Sequence, residues 1–367
     1  MPTTKKLFAI VEILVVVISQ AIVSSFGNSA INLSDFLSFF LGTGMPTSVS
    51  IIIPTHNRAA SLARALDSLR HIHIPLGVTL ELLVIANACT DSTSVLVNTT
   101  SLPFYVRCIH EEHLGLNHAR NRGLRESHGE ILAFLDDDVS VDPGWIAGLL
   151  DVFHHSPAAI VAGKVTLCWQ DIARPRWMDR RSEHLLSCVD YGKAPLELHH
   201  AGLAVGANFA FSRHILDSTG SFATTLDRSG TLLLGGGDTD FLARALASGH
   251  RLFYAPHASV RHHVAPHRAS TYYLFRVSFG NGLTRAFFAE NASPRALVAI
   301  LIEYAYRFLI YSVLASLCTF LGLRKAAIHH HIRRHYSRGL VRGTWRRLRG
   351  LSPTGIRLAP AAAHALS

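Results

Sequence analysis

"EILAFLDDDVSVDPGW", residues 130–145, runs an unbroken apolar stretch straight into three acids. Adjacent carboxylates repel one another, so they belong in a solvated turn or around a cation. Residues 131–135 read as a strand buried on both faces, the kind found in parallel sheets. Extended backbone would point Asp136 and Asp138 one way and Asp137 the other. Two carboxylates at the mouth of a sheet suit a hard divalent ion, Mg²⁺ or Mn²⁺, which leaves positions open for phosphate oxygens.

Upstream the same pattern repeats. Residues 49–53 form an apolar run followed by the polar loop Pro54-Thr55-His56-Asn57-Arg58, and Leu62, Leu66 and Leu69 then recur at helical spacing. A second run, 80–85, ends in Asn87-Ala88-Cys89-Thr90-Asp91; a third covers 105–109, and 117–127 reads as a helix. Strands alternating with helices predict a parallel sheet, with ligands gathered beyond the carboxyl ends of its strands. The three polar loops fall on that edge.

Downstream, 204–211 reads as a strand and 214–219 as a short helix. A glycine turn then leads to Asp238, which opens a helix reaching Ser248. Asp238 is placed either to cap that helix or, ionised beside its positive end, to accept a proton. Asp240 is the competing acid. Strands are expected at 252–254 and 259–264. The second carries His262 and His263 on opposite faces, so one of them can reach the cleft and join a metal or a phosphate.

The chain has 367 residues, room for one large α/β domain with accessories. Its charge of +10 is concentrated: residues 324–349 carry nine basic side chains and no acid, leaving the remainder at +1. A cationic tail of this kind fits an anionic membrane surface. Nucleic acid is not expected as a partner, because neither zinc-finger spacing nor an RNP-like strand is present. Five cysteines without a CxxC pair read as reduced thiols. The His329-His330-His331 run reads as a solvated face.

Residues 7–23 follow Lys5-Lys6 as an anchor or signal segment, weakened as a span by Glu12. Met45 stands directly before the first core run, so 1–45 is an anchor or an upstream extension. Residues 297–323 are apolar apart from Glu303 and Arg307, which can pair at i,i+4. Four segments are expected: 1–45; a domain at 46–270; membrane-associated helices and a basic tail at 271–350; and a disordered tail at 351–367.

The order "VSIIIPTHNR…LLVIANACTDST…GLNHARNRG…GEILAFLDDDV…PGWI…GANFAFSR…GGGDTDFLARALASGHRLFYAPHASVRHH" resembles the family-2 glycosyltransferases over residues 47–265. The resemblance implies a GT-A fold, an α/β Rossmann-like, mostly parallel central sheet flanked by helices. It also implies inverting, metal-dependent transfer of a sugar from a nucleotide-sugar donor to a glycan or lipid-linked acceptor. Carried over residue by residue, it places Pro54, Thr55, Asn57, Arg58, Asn87, Asp91, Arg120, Asp136 and Asp137 at the donor. It puts Asp136, Asp138 and His262 at a divalent metal and makes Asp238 the catalytic base.

Two positions depart from the family pattern. Ala86 stands where an Asp is common, and Gly237 replaces the first member of the "ED" pair. No QxxRW follows Asp238, so one sugar is expected per encounter rather than processive synthesis. The competing reading is a degenerate domain acting as a membrane-bound sugar-nucleotide or glycan-binding scaffold. A nucleotidyltransferase is disfavoured by the lack of a glycine-rich loop with lysine at the first strand. An N-terminal span with Lys5-Lys6 inside would put the domain outside, away from cytosolic nucleotide sugars. The expected location is therefore the cytoplasmic membrane face, through 297–323 and the basic tail.

Overall fold

From Val49 onward the first strand is buried without a break, because sheet neighbours flank it on both sides. The structure is a computed structural model and describes residues 47–169, 172–226, 233–288 and 293–352. The expectations for 1–45 lie outside the described residues, as do those for 353–367. In chain order the strands and main helices begin β1 (Thr47–Thr55), α1 (Ala59–Leu69), β2 (Val78–Asn87), α2 (Thr93–Thr99), β3 (Tyr105–Glu111), α3 (Leu116–Glu126) and β4 (Ile131–Leu135). Next come β5 (Val139–Val141), α4 (Trp145–His155), β6 (Ile160–Cys168), β7 (Leu196–Leu198), β8 (Asn208–Ser212), α5 (Gly237–Ala247) and β9 (Leu252–His263). Three helices follow: α6 (Thr271–Arg285), α7 (Pro294–Phe320) and α8 (Arg324–Leu348).

The sheet order is β3-β2-β1-β4-β8-β6-β9-β5, with β7 on β9. β3, β2, β1 and β4 are parallel, so Thr55, Asn87 and Leu135 end on one edge. β8 runs antiparallel between β4 and β6, and β6 is parallel to β9. This is the expected GT-A α/β fold, with a parallel first half and antiparallel strands added in the second.

The two halves meet at an aromatic stack in which Phe134 lies 5.2 Å from Phe209, 5.8 Å from Phe211 and 5.4 Å from Phe222 between ring centroids. Beside it the fully buried Asn208 spends its whole amide: Trp145 Nε1 donates to Oδ1 at 2.9 Å, and Nδ2 donates to the Lys164 and Ala258 carbonyls at 3.0 and 2.8 Å. Gly163 fits there because a Cβ would overlap that amide.

The strands expected at 252–254 and 259–264 are one strand, β9, whose register against β6 shifts between Gly163 and Lys164. A bulge absorbs the interruption that Pro256 and His257 make in the apolar run. The strand expected from 204 begins at Asn208.

At the carboxyl end α6 and α8 cross at close quarters. A Cβ on Gly282 would overlap the Tyr336 carbonyl, and one on Gly339 that of Phe279. α7 packs on α8, and its buried residues are Leu297, Ala315 and Cys318. Its other side leaves Val298, Ile302, Tyr306, Leu309, Val313, Leu317 and Phe320 exposed at spacings of three and four, an apolar stripe about 33 Å long. The helix is long and apolar enough to cross a membrane, and Glu303 and Arg307 pair on it at 2.6 Å. The histidine run is not a solvated face: His329, His330 and His331 are half-buried, with His331 against Phe275 and His330 against Tyr311. Packing on α6 and α7 takes up those rings.

Candidate active site

Three strand ends build the floor of one cavity of about 910 Å³. After Leu135 the backbone leaves the extended form and turns at Asp137-Asp138. The alternation expected of a strand therefore fails, and Asp137 is not turned away from Asp138. Arg58, at the start of α1, bridges them: Nη1 reaches Asp137 Oδ1 at 2.5 Å and Nη2 reaches Asp138 Oδ2 at 2.8 Å. Thr55, the last residue of β1, donates to Asp137 Oδ2 at 2.7 Å. Asp136 is half-buried and lines the same cavity.

Burial pushes the Asp137 carboxyl up to about 7, against the pull of Arg58. Burial opposes ionisation of Asp138 as well. There His262, then Arg268 and Arg58, overcome it and hold the carboxyl well below the usual range. Burial also works against the Arg58 charge, yet Asp137 and Asp138 raise its pKa further.

Asn87 closes the end of β2. Its Nδ2 donates to the Glu111 and His113 carbonyls at 3.2 and 2.7 Å, and its Oδ1 accepts from Gly115 N at 2.8 Å. Asn57 and Asp91, expected at the donor, do not line the cavity. Asn57 adopts φ 50 and its Oδ1 accepts from Thr90 N and Asp91 N at 2.7 and 3.2 Å. Asp91 accepts from Ala59 N at 2.9 Å and Thr93 Oγ1 at 2.5 Å. The pair therefore ties the first two loops together behind Pro54, which does line the cavity. Ala86 is buried in β2 away from the cavity.

α5 also lines the cavity. Its N-cap is Gly236 at φ 114, not Asp238, which sits within the first turn and lines the cavity. Asp240 is drawn aside by Arg244, whose Nε donates to Oδ2 at 3.0 Å. Gly237 faces Asn117 so closely that a Cβ would overlap its amide. Asn117 Nδ2 donates to the Ala223 carbonyl at 2.8 Å, and its Oδ1 accepts from Arg120 Nη1 at 3.2 Å. Arg120 is buried, lies over the Phe222 ring at 5.3 Å, and lines the cavity with an Nε that has no partner. Gly206 separates Arg120 from Asp238, and a Cβ there would overlap both.

His262 and His263 part as their strand requires. His263 Nε2 lies 2.8 Å from Ser140 Oγ, whereas His262 is buried at the cavity wall. His262 Nδ1 donates to the Leu186 carbonyl at 2.8 Å. That leaves Nε2 as the ring's acceptor in the neutral form. It stands 3.1 Å from Asp138 Oδ1, a buried oxygen with no hydrogen-bond partner. The Arg268 guanidinium stands beside this contact, with Nη1 3.1 Å from Nε2, and a proton or a metal ion between Oδ1 and Nε2 would close it. A carboxylate–imidazole pair of this kind, with Asp136 on the same cavity, fits Mn²⁺ or Mg²⁺. Among the described residues no three such side chains meet as a preformed cluster, so oxygens from a ligand would complete the shell.

Sequence reasoning missed two side chains here. Arg268, in a short turn after β9, reaches Asp138 Oδ2 and His262 Nε2, each at 3.1 Å. Its signal was a lone cation six residues beyond His262, too weak to single out. Asn117 was visible only as part of "GLNHARNRG". α6 supplies a further wall through Tyr273, Asn281 and Thr284.

Residues 50–220 match the family described as Glycosyl transferase family 2. The succinoglycan biosynthesis protein ExoM of Rhizobium meliloti (strain 1021) is 31% identical over 239 residues, 64% of this chain and 74% of that protein. The chain belongs to glycosyl transferase family 2. It is a glycosyltransferase. The glucosyl-dolichyl phosphate glucuronosyltransferase of Haloferax volcanii is 24% identical over 183 residues, 48% of this chain and 56% of its own length. Among solved structures, the mannosyltransferase PcManGT from Pyrobaculum calidifontis, in complex with GDP-Man and Mn²⁺, shares the fold. Its TM-score is 0.57 at 20% identity, covering 83% of this chain and 88% of that one.

Proposed function

We propose that this family-2 glycosyltransferase moves one sugar per encounter from a nucleotide-sugar donor to a hydroxyl acceptor, with inversion and with a divalent cation at Asp136, Asp138 and His262. The observation that carries the reading is that Asp238 and the acid cluster line one cavity. The donor class is that of the GDP-Man held by the solved relative with Mn²⁺.

Asp238 lies in the first turn of α5 and lines the cavity. It takes the proton from the acceptor hydroxyl as that oxygen attacks the anomeric carbon opposite the diphosphate. No glycosyl-enzyme forms, so one base suffices. The cation, when bound, stabilises charge on the departing diphosphate. Arg120, buried beside Asp238 across Gly206, adds a positive charge to that wall.

The experiment is Asp238→Asn with donor binding measured by calorimetry alongside transfer. Binding should stay within about threefold while transfer falls roughly 10³-fold. Near-normal turnover would remove Asp238 from the mechanism.

The acceptor is a glycan or lipid-linked saccharide presented at the cytoplasmic membrane face. This reading is supported by the exposed apolar stripe on α7 and by Arg338, Arg342, Trp345 and Arg349, which form an exposed stripe on α8. Extraction by salt would indicate surface attachment; extraction only by detergent, a span. We assign residues 271–350 to this membrane-associated module and 46–270 to the catalytic domain.

A further inference from the structure

Asp138 is almost fully buried, yet two guanidinium groups converge on it. Arg58 Nη2 lies 2.8 Å and Arg268 Nη1 3.1 Å from the same oxygen, Oδ2. The other oxygen, Oδ1, faces His262 Nε2 without a hydrogen-bond partner. A buried carboxylate needs counter-charge, and here arginines supply it on the side next to the Oδ1–Nε2 contact. A divalent ion held by Oδ1 and Nε2 would sit beside both guanidinium groups. Like charges so placed repel, more strongly in a buried site than in water. Arg268 also touches His262 Nε2 directly, at 3.1 Å, so it stands on a ligand position itself. Its Nε is buried and has no partner. In its present place Arg268 therefore uses its fork only in part, and it is carried by a four-residue turn, Pro266–Ala269, rather than by the sheet.

We propose that Arg58 and Arg268 are the resident counter-ions of Asp138, and that a divalent cation arriving with the donor displaces them onto the donor's diphosphate. The inference rests on the metal-assisted reading above and adds an exchange of cations to it. The carboxylate keeps a positive neighbour in both states. The released forks meet phosphate oxygens, which guanidinium binds in bidentate fashion. Cation alone must evict the arginines with nowhere for them to go. Cation and nucleotide together give them a destination, so each tightens the other.

The test is calorimetric and needs no turnover. Mn²⁺ is titrated into the full chain alone, then with saturating UDP or GDP, for wild type, Arg268→Gln and Arg268→Lys. Wild type should bind Mn²⁺ weakly alone and more tightly with nucleotide. Arg268→Gln should bind Mn²⁺ alone about tenfold more tightly, because the competing charge is gone, and nucleotide with Mn²⁺ about tenfold more weakly. Arg268→Lys keeps the charge, so Mn²⁺ alone should bind as in wild type while the coupling to nucleotide shrinks with loss of the fork. Unchanged or weaker binding of Mn²⁺ alone in Arg268→Gln would overturn the proposal. If that variant does not fold, Arg268→Lys decides: unchanged coupling, or tighter binding of Mn²⁺ alone, overturns it. Absence of any Mn²⁺-assisted nucleotide binding in wild type is a different failure, that of the metal-assisted reading itself.

Discussion

Gly206 gives the cavity its reach, because the space a side chain would take there is filled by Arg120 and Asp238. Gly206→Ala should leave the fold intact and lower transfer about 100-fold by moving both groups, with circular dichroism and initial rates as the check. Gly237 has a related cause. The carboxylate that family members carry at this position has no room here, since Asn117 occupies it and holds Arg120. Gly237→Glu should therefore reduce activity rather than improve it; a gain in initial rate would show that Asn117 yields. Asn208 matters to stability instead. Asn208→Leu strands the Trp145 indole and two backbone carbonyls, and should lower unfolding free energy by about 3 kcal/mol or more in denaturant titration.

At the scale of elements, the sequence disclosed β1 to β4 well, because a strand buried on both faces shows as an unbroken apolar run. β6 was not singled out, since Gly163 and Lys164 interrupt its apolar run; Gly163 yields space to Asn208. Most of the site lay on the strand ends and was legible from them. Arg268 was not, because a charge in a short turn declares no partner until β9 is in place. The turn at Asp137-Asp138 was hidden for the same reason: only Arg58 and Thr55 reveal that the backbone has left the strand.

The helical module also carries a pH signature. His335 stacks on Phe275 at 4.9 Å, and burial, with Arg334 and Arg338, lowers its pKa from 6.5 to about 4. The folded chain keeps this ring neutral while the unfolded chain takes up a proton. Its contribution to stability is complete above pH 6.5 and is lost as pH falls towards 4. His335→Leu should flatten the fall in Tm over that window relative to wild type, as read by thermal denaturation.

For the whole molecule, the exposed stripes of α7 and α8 make a claim about attachment. Reversing Arg338, Arg342 and Arg349 to Glu should weaken binding to vesicles containing anionic lipid by at least about 100-fold, from roughly 1 kcal/mol per basic residue, with little effect on neutral vesicles. Sedimentation with the two vesicle types measures it. No loss on either would assign the binding to α7 alone.

α6 joins these scales. It walls the catalytic cavity through Tyr273, Asn281 and Thr284 and is locked to α8 by glycine contacts that leave no slack. On the membrane attachment proposed above, the enzyme would work as a surface reagent. For an acceptor carried in lipid, encounters occur in two dimensions, and velocity follows how crowded the acceptor is within the bilayer rather than how much of it the tube contains.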